Sequence, residues 1–154
     1  MDVDLALLLS QAAHSLTTEL TAELAALGIT PRAHCVLSKA RAGDLTQNRL
    51  AELCNLDKTT MVVTMDELER AGLAARRPST ADRRARIISV TDAGARVVAQ
   101  ADEIVARIQG DVLDALPARE RTSFVNGLAR LAAGRLSTPV ACERAPRRPR
   151  SSVR

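Results

Sequence analysis

Residues 46–94 read TQNRLAELCNLDKTTMVVTMDELERAGLAARRPSTADRRARIISVTDAG, and this stretch decides the fold. Thr46 can cap a short helix whose buried face is Leu50 and Leu53. Asp57 can cap a longer one that Gly72 ends. On the longer helix Met61, Met65 and Leu68 recur at helical spacing, while Thr59, Val62, Val63 and Asp66 fall on the opposite face. Leu73–Arg77 and Arg86–Val90 follow as short strand candidates, joined by a connector of turn composition, Pro78-Ser79-Thr80-Ala81-Asp82. Two helices across a tight turn, then an arginine-rich hairpin, predict a winged helix-turn-helix. Such a unit offers its second helix to the major groove of duplex DNA, and its hairpin reaches the flanking backbone or the minor groove.

Upstream, Leu5, Leu8, Leu9, Ala12, Leu16, Leu20, Leu24 and Leu27 keep helical spacing, and Gly28 stands where a C-capping glycine belongs. Thr30 and Pro31 restart a helix that runs to about residue 42, before Gly43. Downstream, Thr91 or Asp92 caps a long helix to about Leu116, with Val97, Ile104, Ile108 and Val112 or Leu113 as its apolar stripe. Pro117 breaks it, and Phe124, Leu128 and Leu131 mark a final helix that fades after Gly134. The expected class is mainly α with a small β-hairpin wing. Residues 1–29 form an N-terminal helix, 30–90 the DNA-reading unit, 91–136 two C-terminal helices and 137–154 a disordered Arg/Pro-rich tail. A lone winged helix does not need the long outer helices. A shared dimer core would use them, and packing on their own monomer is the alternative.

Charge placement matters more than its total. The chain carries a net charge of +4, and residues 143–154 supply all of it, with Arg144, Arg147, Arg148, Arg150 and Arg154 against Glu143. Any phosphate binding by the body therefore needs a local patch. Arg76, Arg77, Arg83, Arg84 and Arg86, opposed only by Asp82, form one. The tail either adds non-specific DNA affinity or is inert. One Phe, no Trp and no Tyr leave nothing for stacking single-stranded bases or RNA, and the core must be aliphatic. Cys35, Cys54 and Cys142 are widely spaced, which indicates neither a disulfide framework nor a metal site. The acidic start, with Asp2 and Asp4, is unlike a secretory leader, and no apolar run approaches the roughly 20 residues that span a bilayer. A cytoplasmic protein without membrane contact is expected. A glycine-rich phosphate loop, HExxH and GxSxG are all missing, so no enzyme and no cofactor are expected.

Ala51-Glu52-Leu53, Leu68-Glu69-Arg70-Ala71-Gly72-Leu73, Asp82-Arg83-Arg84-Ala85 and Val90-Thr91-Asp92-Ala93-Gly94 occur in this order, and with them the chain resembles the MarR-type regulators over about residues 5–136. The resemblance implies a homodimeric winged helix-turn-helix with interlocked N- and C-terminal helices. It also implies a short palindromic operator, usually repressed, and release by a small ligand or oxidant. A winged-helix protein-interaction module without specific DNA binding is the alternative, one expected to lack the basic hairpin tip.

Within this frame Lys58, Thr59 and Thr60 lie in the first turn of the recognition helix, where amides and hydroxyls hold phosphate; capping alone is the other role for the threonines. Val62 and Val63 depart from the family pattern of hydroxyl and basic residues. Exposed valines offer only apolar contacts, so thymine methyls are their expected partners, unless one of the two is partly buried. Arg49 is placed to touch the backbone or to stay solvated. Arg83 and Arg84 are the leading contacts at the hairpin tip. Asp82 is expected to brace an arginine side chain, and Arg76, Arg77 and Arg86 to neutralise phosphate. In the family the effector pocket lies between the first, second and fifth helices, where His14, His34 and Cys35 fall, each either lining it or merely packed. Redox sensing in one branch of the family uses a cysteine near the N-terminus. The first helix here has none, and Cys54 reads as a packing residue.

Overall fold

The computed structural model describes residues 3–138, which fall into two compact units divided between Val112 and Leu113. The tail, with Cys142 and its arginines, lies outside the described residues. The first unit holds α1 (Leu5–Leu24), a single 3-10 turn (Ala25–Leu27), α2 (Pro31–Ala40), α3 (Gln47–Leu53), α4 (Lys58–Arg70), β1 (Ala74–Pro78), β2 (Arg86–Val90) and nearly all of α5 (Asp92–Asp114). The second holds the last residues of α5 and α6 (Ala118–Ala133). Among the described residues no helix is long and apolar enough to cross a membrane.

Local chemistry sets the boundaries. Asp4 accepts the Leu7 amide at 2.9 Å to start α1, Thr30 accepts that of Ala33 at 3.2 Å to start α2, and Thr46 that of Arg49 at 3.2 Å to start α3. The turn from α3 to α4 is a Schellman exit. Asn55 takes the left-handed conformation (φ 51°), which asparagine tolerates, and the Leu56 amide returns to the Ala51 carbonyl at 2.8 Å. The same device closes α4, where Gly72 has φ 70° and the Leu73 amide reaches the Leu68 carbonyl at 2.9 Å. This is the physical content of the LERAGL segment.

The VTDAG segment locks onto that turn. The Thr91 hydroxyl donates to the Gly72 carbonyl at 2.7 Å and accepts the Gly94 amide at 3.0 Å, while the Thr91 amide donates to the Leu73 carbonyl at 3.1 Å. Gly94 then lies so close that a β-carbon there would sit 2.0 Å from the Leu73 oxygen. One joint thus ties the end of α4, the start of β1 and the first turn of α5.

β1 and β2 pair antiparallel from Ala74–Val90 to Pro78–Arg86, and the far edge of β2 is bridged by Thr46, opposite Ile87. Pro78 stands at the strand end, where its missing amide costs nothing. Leu24, Val36, Leu37, Leu50, Met61, Met65, Leu68, Ile88 and Val98 build one aliphatic core under the helix-turn-helix. Thr64 is buried with them, its hydroxyl donating to the Thr60 carbonyl at 2.8 Å.

Three apolar assignments differ from the pattern expected. Leu53 is 41% exposed, and Ala51 takes its place against the core beside Leu50. The buried line of α5 runs through Gly94, Val98, Ala101 and Ile108, with Val97 and Ile104 at its margin and Val112 exposed. On α1 only Leu24 is fully buried, and Leu5, Leu7 and Leu8 face outward. In the second unit Phe124, Val125, Leu128 and Leu131 are all exposed along α6.

Candidate nucleic-acid interface

On α4 the outward face carries Lys58, Thr59, Val62, Val63 and Asp66. Val62 and Val63 are 43% and 45% exposed, so neither belongs to the core. The first turn is partly occupied by its own cap. Asp57 accepts both the Thr60 amide at 2.8 Å and the Thr60 hydroxyl at 2.6 Å, and these bonds hold its carboxyl below the usual carboxylate range. Thr60 is therefore a capping residue rather than a free donor. Lys58 and Thr59 keep their side chains uncommitted among the described residues. Arg49, on α3, pairs at its surface with Glu52 at 2.8 Å.

The wing tip is organised by backbone bonds. The Ser79 hydroxyl accepts the amides of Ala81 and Asp82 at 3.2 and 3.3 Å, and the Ser79 amide donates to the Ala85 carbonyl at 3.2 Å. The Asp82 carboxylate accepts the Arg84 amide at 2.9 Å. Asp82 thus shapes the turn and braces no guanidinium among the described residues, because the short side chain reaches its own backbone first. Arg86 is likewise turned inward, donating to the Arg83 carbonyl at 3.0 Å. Arg83 and Arg84 remain exposed, with no ion pair or side-chain hydrogen bond among the described residues. Arg77 is exposed and only loosely opposed by Asp44, at 3.9 Å.

Arg76 has a different task from the phosphate neutralisation expected of it. Its guanidinium meets Asp66 at 2.8 Å and also Glu69, both on α4, and its Nε–H donates to the Gln47 Oε1 of α3 at 2.8 Å. Glu69 in turn accepts the Arg76 amide at 2.8 Å. The side chain is 20% exposed. Arg76 is a clamp between α3, α4 and β1. Replacing it by methionine keeps the stem but leaves two carboxylates facing one another one turn apart. The expected cost is about 1–2 kcal/mol, below that of a fully buried pair because both acids are partly solvated. Thermal unfolding checks this, and an unchanged midpoint would mean the clamp contributes nothing. Gln47 and Asn48, which periodicity does not flag, also line a hollow of about 160 Å³ with Arg84 and Arg86.

Between α1, α2 and α5 an open cleft of about 270 Å³ is lined by Leu20, Leu24, Pro31, His34, Cys35, Ser38, Lys39, Val105 and Gln109. His34 and Cys35 both line it, whereas His14 is exposed on α1 and is not part of the lining. The His34 ring is anchored, with Nε2 2.8 Å from one oxygen of Asp102 while Arg41 donates to the other at 2.9 Å. The hydrogen bond from His34, and then the charge of Arg41, hold Asp102 below the usual carboxylate range against its partial burial. This triad ties α2 to α5 on one wall of the cleft.

The sequence profile of the MarR family matches residues 27–85, from the turn before α2 through the wing tip. The transcriptional repressor CouR, solved bound to a 23-mer DNA duplex, is 28% identical and superposes with a TM-score of 0.77 over 83% of this chain and 92% of its own. CouR from Rhodococcus jostii RHA1 bound to p-coumaroyl-CoA is 26% identical, with a TM-score of 0.75 over 90% of this chain and 96% of that one. The PcaV transcriptional regulator from Streptomyces coelicolor, in complex with its natural ligand, is 28% identical, with a TM-score of 0.71 over 85% and 91%. The profile match over helix-turn-helix and wing, joined to a fold shared along most of each chain, makes this chain similar to the MarR-family regulators.

Proposed function

We propose that the protein is a sequence-specific DNA-binding transcriptional regulator, a homodimeric repressor of a palindromic operator that a small ligand releases. The observation that carries this reading is the pair of uncommitted guanidinium groups, Arg83 and Arg84, on a wing of the same unit that exposes Val62, Val63, Lys58 and Thr59 on α4. CouR, which this chain resembles in fold, is a repressor bound to duplex DNA, and ligand-bound CouR and PcaV support an effector site. The cleft beside Lys39 and Gln109 is the place for such a ligand. The uncovered leucines of α1 and the apolar face of α6 are the surfaces assigned to the partner copy. In this reading the protein works in the bacterial cytoplasm and catalyses no reaction.

Selection of bound duplexes from a random pool, at near-physiological salt, tests the proposal. The expected product is a palindrome with half-sites about one helical turn, roughly 10 base pairs, apart. Binding without enrichment, lost as salt rises, would overturn sequence-specific reading and leave the interaction-module alternative.

The valines make a second expectation. Each thymine methyl seated against Val62 or Val63 is worth about 0.8 kcal/mol, or roughly fourfold in affinity. Thymine-to-uracil substitution within the half-site should therefore weaken binding at one or two positions and nowhere else. Uniform indifference to the methyl would remove both valines from base reading.

A further inference from the structure

A hollow of about 250 Å³ opens between the start of α2 and the end of α4. It shares no lining residue with the cleft between α1, α2 and α5. Its walls are apolar, since Ile29, Ala33, Leu68 and Leu73 line it and all four belong to the buried core. Small residues keep it open. A β-carbon at Gly28 would meet nothing within 4 Å, and Ala71 lies exposed at its edge. Two polar side chains complete the lining. The Thr30 hydroxyl is committed, accepting the Ala33 amide at 3.2 Å. Glu67 is exposed and has no ion pair or side-chain hydrogen bond among the described residues. No basic side chain lines the hollow, and Arg70, in the same turn of α4 as Glu67, stays outside it.

The helix ends add to the negative sign of Glu67. Leu68 is in the last turn of α4 and Ala71 is its C-cap, so the hollow meets the negative end of that helix dipole. The positive end of α2 lies here too, but Pro31 has no amide and Thr30 takes that of Ala33, which leaves little to hold an anion. Size sets the second limit. An apolar cavity of about 150 Å³ takes one benzene ring, so this one has room for a ring and a short polar arm. We propose that the hollow is a binding site for a small aryl-alkyl ammonium ion. The ring lies on Leu68 and Leu73, and the ammonium N–H groups donate to the Glu67 carboxylate. Such an occupant touches residues 28–30 and the end of the recognition helix at once, and so restrains α4 against α2. In a regulator this is a second ligand input, beside the cleft lined by Lys39. The site goes beyond the DNA-binding function proposed above and does not depend on it.

The test titrates the full chain with benzylammonium chloride at neutral pH and follows the backbone amide resonances. The expected result is saturable shifts at Gly28, Ile29, Ala33, Leu68, Ala71 and Leu73, with a dissociation constant of about 1 mM, ordinary for a ligand of one ring. Benzyl alcohol, of the same shape without the charge, should bind about fivefold more weakly, the ceiling for an exposed ion pair. Glu67→Gln should cost benzylammonium the same factor and leave benzyl alcohol unaffected. Glu67→Lys should reject benzylammonium and admit benzoate at the same amides. Ala71→Leu should fill the hollow and abolish binding of all three probes, and the two Glu67 variants decide the matter if that chain does not fold. The absence of saturable shifts, shifts confined to Ser38, Val105 and Gln109 of the cleft, or an affinity that Glu67→Gln leaves unchanged would each overturn the site. Failure of the chain to select any duplex counts against the proposed function alone, because these titrations contain no DNA.

Discussion

Gly94→Ala should lower the stability of the fold by about 3 kcal/mol, at the upper end of overpacking costs. In a chain of this size that shifts the melting midpoint down by roughly 6–12 °C. The new β-carbon would lie 2.0 Å from the Leu73 carbonyl oxygen, and that atom cannot rotate away. It is backbone, fixed by the Schellman turn on one side and by its bond from the Thr91 amide on the other. Relief requires α5 to lift from the turn, which breaks the 2.7 Å bond from the Thr91 hydroxyl to Gly72 and uncovers Val98 and Ala101. Gly110, on the same helix, is the control, because a β-carbon there meets nothing within 4 Å. Gly110→Ala should be neutral or stabilising by about 0.5–1 kcal/mol through helix propensity. Calorimetry of both variants at one fixed protein concentration, which the proposed dimer requires, decides the matter. Equal melting of the two variants would refute the joint.

Removing both Arg83 and Arg84 should weaken binding to every duplex sequence, and by an amount that salt reveals. If each guanidinium neutralises one phosphate, the double alanine variant loses about 1.8 units from the slope of log affinity against log salt. At 0.1 M salt that corresponds to roughly sixty-fold weaker binding. Each single variant should show about half the slope change. Because neither side chain has a partner among the described residues, the melting midpoint should stay where it is. A slope left unchanged would take both residues away from the DNA backbone. A loss confined to A·T-rich flanks would instead place them in a narrow minor groove.

What could be read ahead of the structure was whatever local chemistry decides. Thr30 with Pro31, Thr46, Asp57, Gly28 and Gly72 mark helix ends because capping involves only neighbours in the chain. The division of α4 into Met61, Met65 and Leu68 against Val62 and Val63 follows from a helix having one buried side. What escaped depends on atoms distant in the sequence or on small residues. Ala101 and Gly94 carry the contact line of α5, and apolar periodicity does not weigh residues of that size. Arg76 reads as one more cation in a basic run until Gln47, Asp66 and Glu69 are seen to converge on it from two helices. Asp82 reads as a brace for an arginine side chain and Arg86 as a phosphate contact, but backbone groups of the wing tip hold both.

Phe124 is the chain's one aromatic ring, and it lies exposed on α6 while the core is wholly aliphatic. The protein is therefore nearly transparent in the near ultraviolet and has no tryptophan or tyrosine emission of its own. Concentrations must be taken from peptide-bond absorbance or amino-acid analysis, and nucleic-acid carry-over would dominate an ordinary spectrum. The same darkness is useful, because a single tryptophan in place of Phe124 would be the only emitter in the molecule. Its colour would report directly on whatever covers that face of α6.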